Sequence, residues 1–216
     1  MAADTNSIDK RTPVTRRRDK DKTIAALKRA ARQQLILEGG TGLSIQPILN
    51  MAGVSRGALF HHFPTKNHLI AAAFFDLMDD MAERLGALGE ALREGSIGRS
   101  DFVERVRDAY CSDIFVGSMD IAVKTRAEPE LRALVDEGVD DWYVVLAAFW
   151  QDTFELPGFG GAEADQHWVM ASNLLRGHAF ASIYRSTPEI RRAFCASFEE
   201  MILAQAVIKP LSPQNG

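Results

Sequence analysis

The chain has 216 residues, of which 46% are apolar, so it is long enough to bury a core in one large or two small domains. Its two cysteines, Cys111 and Cys195, cannot form a disulfide framework, and no apolar run reaches the about 18 residues of a membrane-spanning helix. The polar, basic N-terminus excludes a secretory signal, and we therefore expect a protein of the reducing cytoplasm.

Charge is divided unevenly along the chain. Residues 1–68 carry 12 Lys and Arg against 5 Asp and Glu, a charge of +7, whereas residues 69–216 carry 13 against 24, a charge of −11. An asymmetry of this size indicates that the N-terminal part faces a polyanion. A basic tail that only improves solubility is the alternative interpretation of the same pattern.

The N-terminal segment combines a polar stretch with a helical pattern. Residues 1–20 lack apolar periodicity and are predicted to form a flexible basic arm. From about Asp21 to Glu38 apolar residues recur at helical spacing, which predicts a helix, and a glycine-rich run that begins at Gly39 ends it.

Three helices with clear start signals follow. The sequence predicts helices over residues 45–52 and 56–62, joined by a turn at Gly53, and a longer helix over residues 66–93. A short side chain with an oxygen precedes each helix and can accept a hydrogen bond from the first turn. The predicted N-caps are Ser44, Ser55 and Thr65.

The remaining chain is also predicted to be helical. Helical spacing covers residues 100–116, 129–154, 162–185 and 188–208, and Pro129 stands where a first helical turn accepts proline. No stretch alternates with a period of two, so no strand is predicted and the fold class is all-α.

The two short helices have the pattern of a helix-turn-helix. The first offers apolar residues on one side, and Gly53 tolerates the positive φ that a tight turn requires. The second leaves short or polar side chains outward, so it can approach the base edges of a major groove. These outward residues are Ser55, Arg56, Gly57, Ala58 and His61.

The ordered string from Gly42 to Lys66 resembles the DNA-binding domain of the TetR family, and the similarity extends over about residues 21–72. Its characteristic parts are the glycine turn, the helix of small residues, the aromatic-His-His-Phe ending and the lysine that opens the next helix. The resemblance implies a fold of about nine helices, with a helix-turn-helix domain followed by a helical regulatory domain. The implied parts are a basic arm at residues 1–20, a DNA-binding domain at 21–64, and a ligand-binding and dimerisation domain at 65–216.

Roles in DNA binding follow from the same resemblance. Serine and threonine near the start of the first short helix and Lys66 at the start of the fourth helix would contact phosphate. The arginine cluster of the arm would reach phosphate or the minor groove, unless it is a solvated tail. The implied contact residues are Thr41, Ser44, Gln46, Ser55, Arg56, Gly57, Ala58, Phe60, His61 and Lys66, with Arg16, Arg17 and Arg18 from the arm.

Two positions depart from the family pattern. Phe60 stands where the family usually has tyrosine, so the hydroxyl contact to phosphate is lost and only an apolar contact, such as one to a thymine methyl, is expected. Leu49 stands where the family prefers alanine, and its larger side chain is expected to tilt or separate the two short helices slightly.

The resemblance implies a transcriptional regulator, most simply a repressor. The sequence has no glycine-rich phosphate loop, nucleophile elbow or pair of catalytic carboxylates, so we expect no enzymatic activity and no cofactor. The regulator would bind palindromic double-stranded operator DNA as a homodimer and be released by a small-molecule inducer. The dimer would form through the last two helices, with a seam of Leu174, Leu175, Ala179, Ala181, Phe194, Phe198, Met201, Ile202 and Ala206. Candidate inducer contacts are the large residues Phe102, Tyr110, Phe115, Met119, Trp142, Phe149 and Trp168, with His178.

Other interpretations remain open at this point. The chain could bind DNA without a ligand, which a regulatory domain lacking a cavity would favour. It could also be a helical enzyme or a lipid-handling protein in which the helix-turn-helix is incidental. A metal site is not expected, because the spacing of His61, His62 and His68 does not bring three imidazoles together.

Overall fold

The computed structural model describes residues 13–211, with side chains from Asp19 onward except at residues 40–42. Nine helices and one pair of two-residue strands make up the described part of the chain, so the prediction of an all-helical class is confirmed in its main feature. The elements are α1 (Pro13–Gly42), α2 (Ile45–Ala52), α3 (Arg56–His62), α4 (Lys66–Arg93), α5 (Arg99–Tyr110), α6 (Asp113–Lys124), α7 (Pro129–Thr153), β1 (Phe154–Glu155), α8 (Gly161–Ser182), α9 (Pro188–Ile202) and β2 (Val207–Ile208).

The start of α1 differs from the prediction. Residues 13–20 were expected in a flexible arm, but they are helical and continuous with the helix that follows. Pro13 suits this start, because proline has no N–H and its fixed φ fits the first helical turn. The rest of the predicted arm, residues 1–12, lies outside the described residues. Helical geometry breaks at Gly39, where φ is 66°, as the glycine run predicts, although helical backbone resumes as far as Gly42.

The single helix predicted over residues 100–116 is wrong, because the chain forms two helices there. α5 ends at Tyr110, and Ser112 caps α6 by accepting a hydrogen bond from the Phe115 N–H at 3.4 Å. The Ser112 hydroxyl donates to the Ala109 carbonyl at 2.7 Å, which holds the corner between the helices. An N-cap serine in the middle of a helical pattern is the signal that reveals this corner.

The end of α9 and the prediction of no strand also need correction. α9 ends at Ile202 rather than near residue 208, and β2 pairs antiparallel with β1, Phe154 opposite Ile208. Arg99 explains the early end: its guanidinium donates to the Leu203 carbonyl at 2.7 Å and to the Ala206 carbonyl at 2.9 Å. These bonds satisfy backbone carbonyls that would otherwise need a continuing helix.

The buried apolar side chains form two clusters that share α4. One cluster unites α1, α2 and α3 with the first half of α4, and it includes Ile121 of α6. The other surrounds Trp150 and contains the second half of α4 with α5, α8 and α9. Ion pairs between Lys28 and Asp76 and between Arg32 and Asp80 hold α1 against α4. In the described part of the chain, no helix is long and apolar enough to cross a membrane.

Candidate DNA-binding interface and ligand cavity

The turn between α2 and α3 has the geometry that the sequence predicts. Gly53 has φ 63° and ψ 33°, and its N–H donates to the Leu49 carbonyl. A side chain at Gly53 would meet nothing within 4 Å, so glycine is needed there for its backbone conformation rather than for space. Ile48 and Leu59, one from each helix, are fully buried and fix the angle between α2 and α3.

One face of α3 is open to solvent. Ser55, Arg56, Gly57 and His61 are exposed, and Ala58 is half-buried at the edge of this face. The Ser55 hydroxyl accepts a hydrogen bond from the Ala58 N–H at 3.2 Å, so the predicted cap is confirmed. The structure therefore brings together the residues that were predicted to read DNA.

Phe60 has a role that was not predicted from the sequence. The Arg56 guanidinium carbon lies 5.5 Å from the centroid of the Phe60 ring, one helical turn further along α3. A cation over an aromatic face is attracted by the ring quadrupole, so Phe60 orients Arg56 at the exposed surface. The i,i+4 spacing of an arginine and an aromatic residue was the available signal.

The entry to α2 leaves polar groups exposed. Ser44 occupies the N-cap position, but its hydroxyl makes no capping bond, and the predicted side-chain cap is wrong in that respect. Its backbone N–H donates to Gln34 Oε1 at 3.3 Å, and its exposed hydroxyl has no capping partner. Gln46 is exposed and donates to Asn50 at 3.0 Å. The side chains of Thr41 and of Arg16, Arg17 and Arg18 lie outside the described part of the structure.

Lys66 lies at the start of α4, close to the entry of α2. Its ammonium donates to the Leu43 carbonyl, which ties the two segments together. Burial lowers the pKa of Lys66, Lys124 lowers it further, and Glu128 raises it. A phosphate contact by Lys66 stays a prediction, and it requires the ammonium to share its protons between Leu43 and the phosphate.

An acidic side chain beside the start of α4 was not predicted. Glu130, in the first turn of α7, accepts a hydrogen bond from the Thr65 hydroxyl at 2.8 Å and another from Asn67 Nδ2 at 2.8 Å. Thr65 also caps α4, as predicted, by accepting from the His68 N–H. Glu130 thus links the C-terminal part of the chain to the helix that follows the helix-turn-helix.

Of the three histidines near α3, His61 and His62 lie side by side with their ring centroids 5.0 Å apart, whereas His68 is hydrogen-bonded to another residue. Burial is the main cause that lowers the pKa of His62, with His61 and Lys20 adding to it. His68 Nδ1 lies 2.9 Å from the Thr65 hydroxyl. No group of three or more metal-ligating side chains is found among residues that the structure describes.

Gly57 offers a test of how closely α3 approaches DNA. A Cβ at this position would meet nothing within 4 Å inside the protein. We expect Gly57→Ala to raise the free energy of unfolding by about 0.5 kcal/mol, because alanine favours a helix over glycine. We expect the same change to weaken DNA binding, because the added methyl group would keep the backbone away from the groove. Chemical denaturation and fluorescence anisotropy measure the two effects, and unchanged DNA affinity would show that α3 does not approach closely.

A cavity of about 140 Å³ lies beside α6 and α7, partly open to solvent. Three of the predicted inducer contacts, Phe115, Met119 and Trp142, line it. The other lining residues were not predicted, because their inward orientation depends on tertiary packing. These are Phe74, Met78, Ser118, Ala122, Val139, Tyr143 and Arg176.

The other predicted inducer contacts lie elsewhere. Phe102 and Phe149 pack in the aromatic core around Trp150, and Tyr110 is buried against Phe115 with their ring centroids 4.7 Å apart. Trp168 lines a separate cavity of about 20 Å³. His178 stacks on Phe194 at 3.8 Å, and burial, helped by Arg107, lowers its pKa.

The predicted dimer seam divides between the two sides of α8 and α9. Leu174, Ala181 and Met201 are exposed. The remaining members face this chain's own core; they are Leu175 and Ala179 on α8, Phe194, Phe198 and Ile202 on α9, and Ala206 after the end of α9. The exposed side of α8 and the turn that follows it form a stripe, which we name the α8 stripe: Met170, Leu174, Gly177 and Ala181 on the helix and Tyr184 just beyond its end.

Comparison with known proteins places the helix-turn-helix among bacterial regulators. The model of the family described as bacterial regulatory proteins, tetR family, matches residues 27–73. The HTH-type transcriptional regulator CymR of Pseudomonas putida is 29% identical over 168 residues, which are 78% of this chain and 81% of CymR. The HTH-type transcriptional repressor Rv1474c of Mycobacterium tuberculosis is 33% identical over 110 residues, which are 47% of this chain and 54% of that protein.

Solved structures share the fold. A protein described as a TetR-family transcriptional regulator, from Mesorhizobium loti, superposes with a TM-score of 0.64 at 18% identity, covering 87% of this chain and 98% of that one. A transcriptional regulator from Saccharomonospora viridis, solved in complex with choline, gives a TM-score of 0.60 at 16% identity over 88% of this chain and 99% of the other. The predicted architecture, a helix-turn-helix domain followed by a helical domain, therefore agrees with solved structures that cover most of this chain.

Proposed function

The chain is a TetR-family transcriptional regulator, and from that premise we propose that it is a ligand-responsive repressor that binds a palindromic operator as a homodimer. The relatives named above are transcriptional regulators and not enzymes, and one of them is called a repressor. The proposal includes a cytoplasmic location, where the protein has access to operator DNA.

The exposed face of α3 is the observation that carries the proposal. Arg56 is exposed, supported by Phe60, and flanked by the small residues Ser55 and Gly57. An arginine in this position can pair with both acceptors on the major-groove edge of guanine. The Ser44 hydroxyl, free of a capping bond, is available to a phosphate at the groove edge.

Dimerisation is supported by the α8 stripe. Met170 is 54% exposed and Leu174 is 36% exposed, which is unusual for large side chains aligned on one face of a helix, and Tyr184, two residues beyond the end of α8, is 80% exposed. Gly177 and Ala181 between them would allow a second helix to approach closely. A two-fold dimer built on this stripe would present two α3 helices to half-sites one helical turn apart or a multiple of it.

Coupling between ligand and DNA is supported by α6. Phe115, Ser118 and Met119 of this helix line the cavity of about 140 Å³. On its other side α6 packs on α1: a Cβ at Gly117 would lie 3.5 Å from the Leu35 carbonyl. A ligand that displaces α6 would therefore move α1 and, through it, the helix-turn-helix, so ligand and operator would oppose each other reciprocally. The presence of a cavity weighs against a DNA-binding protein without a ligand.

One experiment tests the proposal. The full-length protein is used to select bound duplexes from a random pool, and a library of small molecules is then screened for release of the enriched duplex. We expect an inverted repeat, two chains per duplex, and at least one releasing molecule. A pool without enrichment, or an enriched site bound by one chain, would contradict the proposal. Because phosphate contacts release counterions, the affinity should fall steeply with salt.

A further inference from the structure

Arg176 places a positive charge in the wall of the cavity beside α6. Its guanidinium carbon lies 5.3 Å from the Trp142 ring centroid and 5.2 Å from that of Tyr143. The same side chain lines the smaller cavity of about 20 Å³, so it stands between the two spaces. The two aromatic rings hold the guanidinium in place without neutralising it.

The charge of Arg176 is not balanced by a carboxylate in the described part of the chain. Its hydrogen bond goes to the neutral Asn173 side chain at 3.0 Å, and no ion pair forms with it there. The Ser118 hydroxyl in the cavity wall donates its hydrogen bond to the Phe115 carbonyl at 2.6 Å. The cavity therefore combines an apolar wall with one cation whose donors are available to an anion.

Two carboxylates lie in a groove next to the cavity. Asp79 and Asp141 line this open groove between α4 and α7, and Met78 and Trp142 line both spaces. Neither carboxylate lines the cavity itself, whose charged lining side chain is Arg176. A ligand with one negative group would therefore orient it toward Arg176 and its apolar part toward the apolar side chains of α4 and α6.

Two hydroxyl groups lie close to Arg176 on the inner side. Ser172 is one helical turn before Arg176 on α8, lines the smaller cavity, and accepts the Trp150 indole N–H at 3.0 Å. The Tyr110 hydroxyl makes no hydrogen bond of regular geometry, although the residue is only 1% exposed. Burial raises the pKa of Tyr110 to about 12, and its side chain lines neither cavity.

The size of the cavity limits the apolar part of the ligand. Its volume is about 140 Å³. An engineered apolar cavity of about 150 Å³ in another protein binds benzene, so this space accommodates roughly one six-membered ring. A long acyl chain or a fused multi-ring compound would require the walls to move.

We propose that this cavity binds a compact apolar monocarboxylate, about one ring in size, whose carboxylate pairs with Arg176. This proposal names the class of ligand for the regulator proposed above. It rests on that proposed function only for the expectation that the ligand releases DNA. A quaternary ammonium is disfavoured, because Arg176 already occupies the faces of Trp142 and Tyr143 and would repel a second cation.

Calorimetry on the full-length protein tests the ligand class. The probes are benzoate and cyclohexanecarboxylate, their neutral carboxamides, and choline. We expect each carboxylate to bind about tenfold or more tightly than its carboxamide, since a charge-assisted pair is lost in the amide. Equal binding of acid and amide, tighter binding of choline, or no binding of either acid at millimolar concentration would overturn the proposal.

Variants assign the effect to Arg176. Arg176→Gln should weaken benzoate binding about tenfold or more and leave benzamide binding nearly unchanged. The matched control is Arg192→Gln, an exposed arginine on α9 whose ion pair is with Glu189, and it should bind benzoate as the parent protein does. Circular dichroism checks that each variant is folded; if Arg176→Gln does not fold, the difference between acid and amide on the parent protein decides.

The effect on DNA is measured separately. Benzoate that binds through Arg176 without releasing the selected duplex would support the ligand class and contradict the proposed regulation. Release of the duplex by other molecules, together with no carboxylate binding, would overturn the ligand class and support the regulation. The two proposals can therefore fail independently.

Discussion

Replacing Arg56 by alanine is expected to abolish specific binding to the selected operator. One bidentate arginine–guanine contact contributes about 1–3 kcal/mol, and a dimer contains two copies, so the loss should reach about 2–6 kcal/mol. Arg56 is exposed on α3 and held over the Phe60 ring at 5.5 Å, so it is already positioned for this contact. Fluorescence anisotropy at one fixed salt concentration, with the selected duplex and a scrambled duplex, measures the loss.

Two further variants separate base reading from general attraction to DNA. Arg192→Ala removes an exposed positive charge from α9 and should leave operator affinity unchanged. Phe60→Leu keeps an apolar side chain but removes the ring beneath Arg56, and should cost about 0.5–1 kcal/mol of binding energy. If Arg56→Ala weakens binding to the scrambled duplex as much as to the operator, Arg56 contacts phosphate and does not read a base.

Replacing Trp150 by alanine is expected to cost about 3–5 kcal/mol of unfolding free energy. Trp150 is fully buried, lies parallel to Trp168 at 5.4 Å, and is surrounded by Phe102, Phe154 and Phe198. The change would leave a large cavity at the point where α5, α7, α8 and α9 meet. Urea denaturation followed by circular dichroism, at constant protein concentration, measures the loss.

The controls for Trp150 distinguish ring packing from any change on the surface. Trp150→Phe keeps most of the ring contacts but removes the N–H that Ser172 accepts, so it should cost less than alanine. Val123→Ala, at an exposed position of α6, should change stability by no more than about 0.5 kcal/mol. A similar small effect for Trp150→Ala would mean that the aromatic core can repack around the missing ring.

Local signals allowed the helix-turn-helix to be predicted closely. The bounds of α2, α3 and α4 agree with the sequence-based expectation, because a glycine with positive φ and the capping residues Ser55 and Thr65 define them within a few residues. The corner at Ser112 depends on the same kind of signal and was missed, because an unbroken apolar pattern runs through it.

Features that depend on tertiary packing could not be predicted. Leu174 and Leu175 are neighbours of equal hydrophobicity, yet the first is exposed and the second is buried, and only the packing of α8 on the core decides between them. Arg176 follows them and has the sequence appearance of a solvated charge. Its place beside Trp142 and Tyr143 follows from the approach of α7 to α8.

The division of α4 between the two hydrophobic clusters has a consequence for protein engineering. Leu77 and Met78 belong to the N-terminal cluster, whereas Met81 and Leu85 belong to the cluster around Trp150. A chimera that takes its operator specificity from a relative should therefore be joined inside α4, between Asp80 and Met81, so that the ion pair of Arg32 with Asp80 comes from one parent. A junction at Thr65, in the loop before the helix, would instead separate α1 from the half-helix on which it packs.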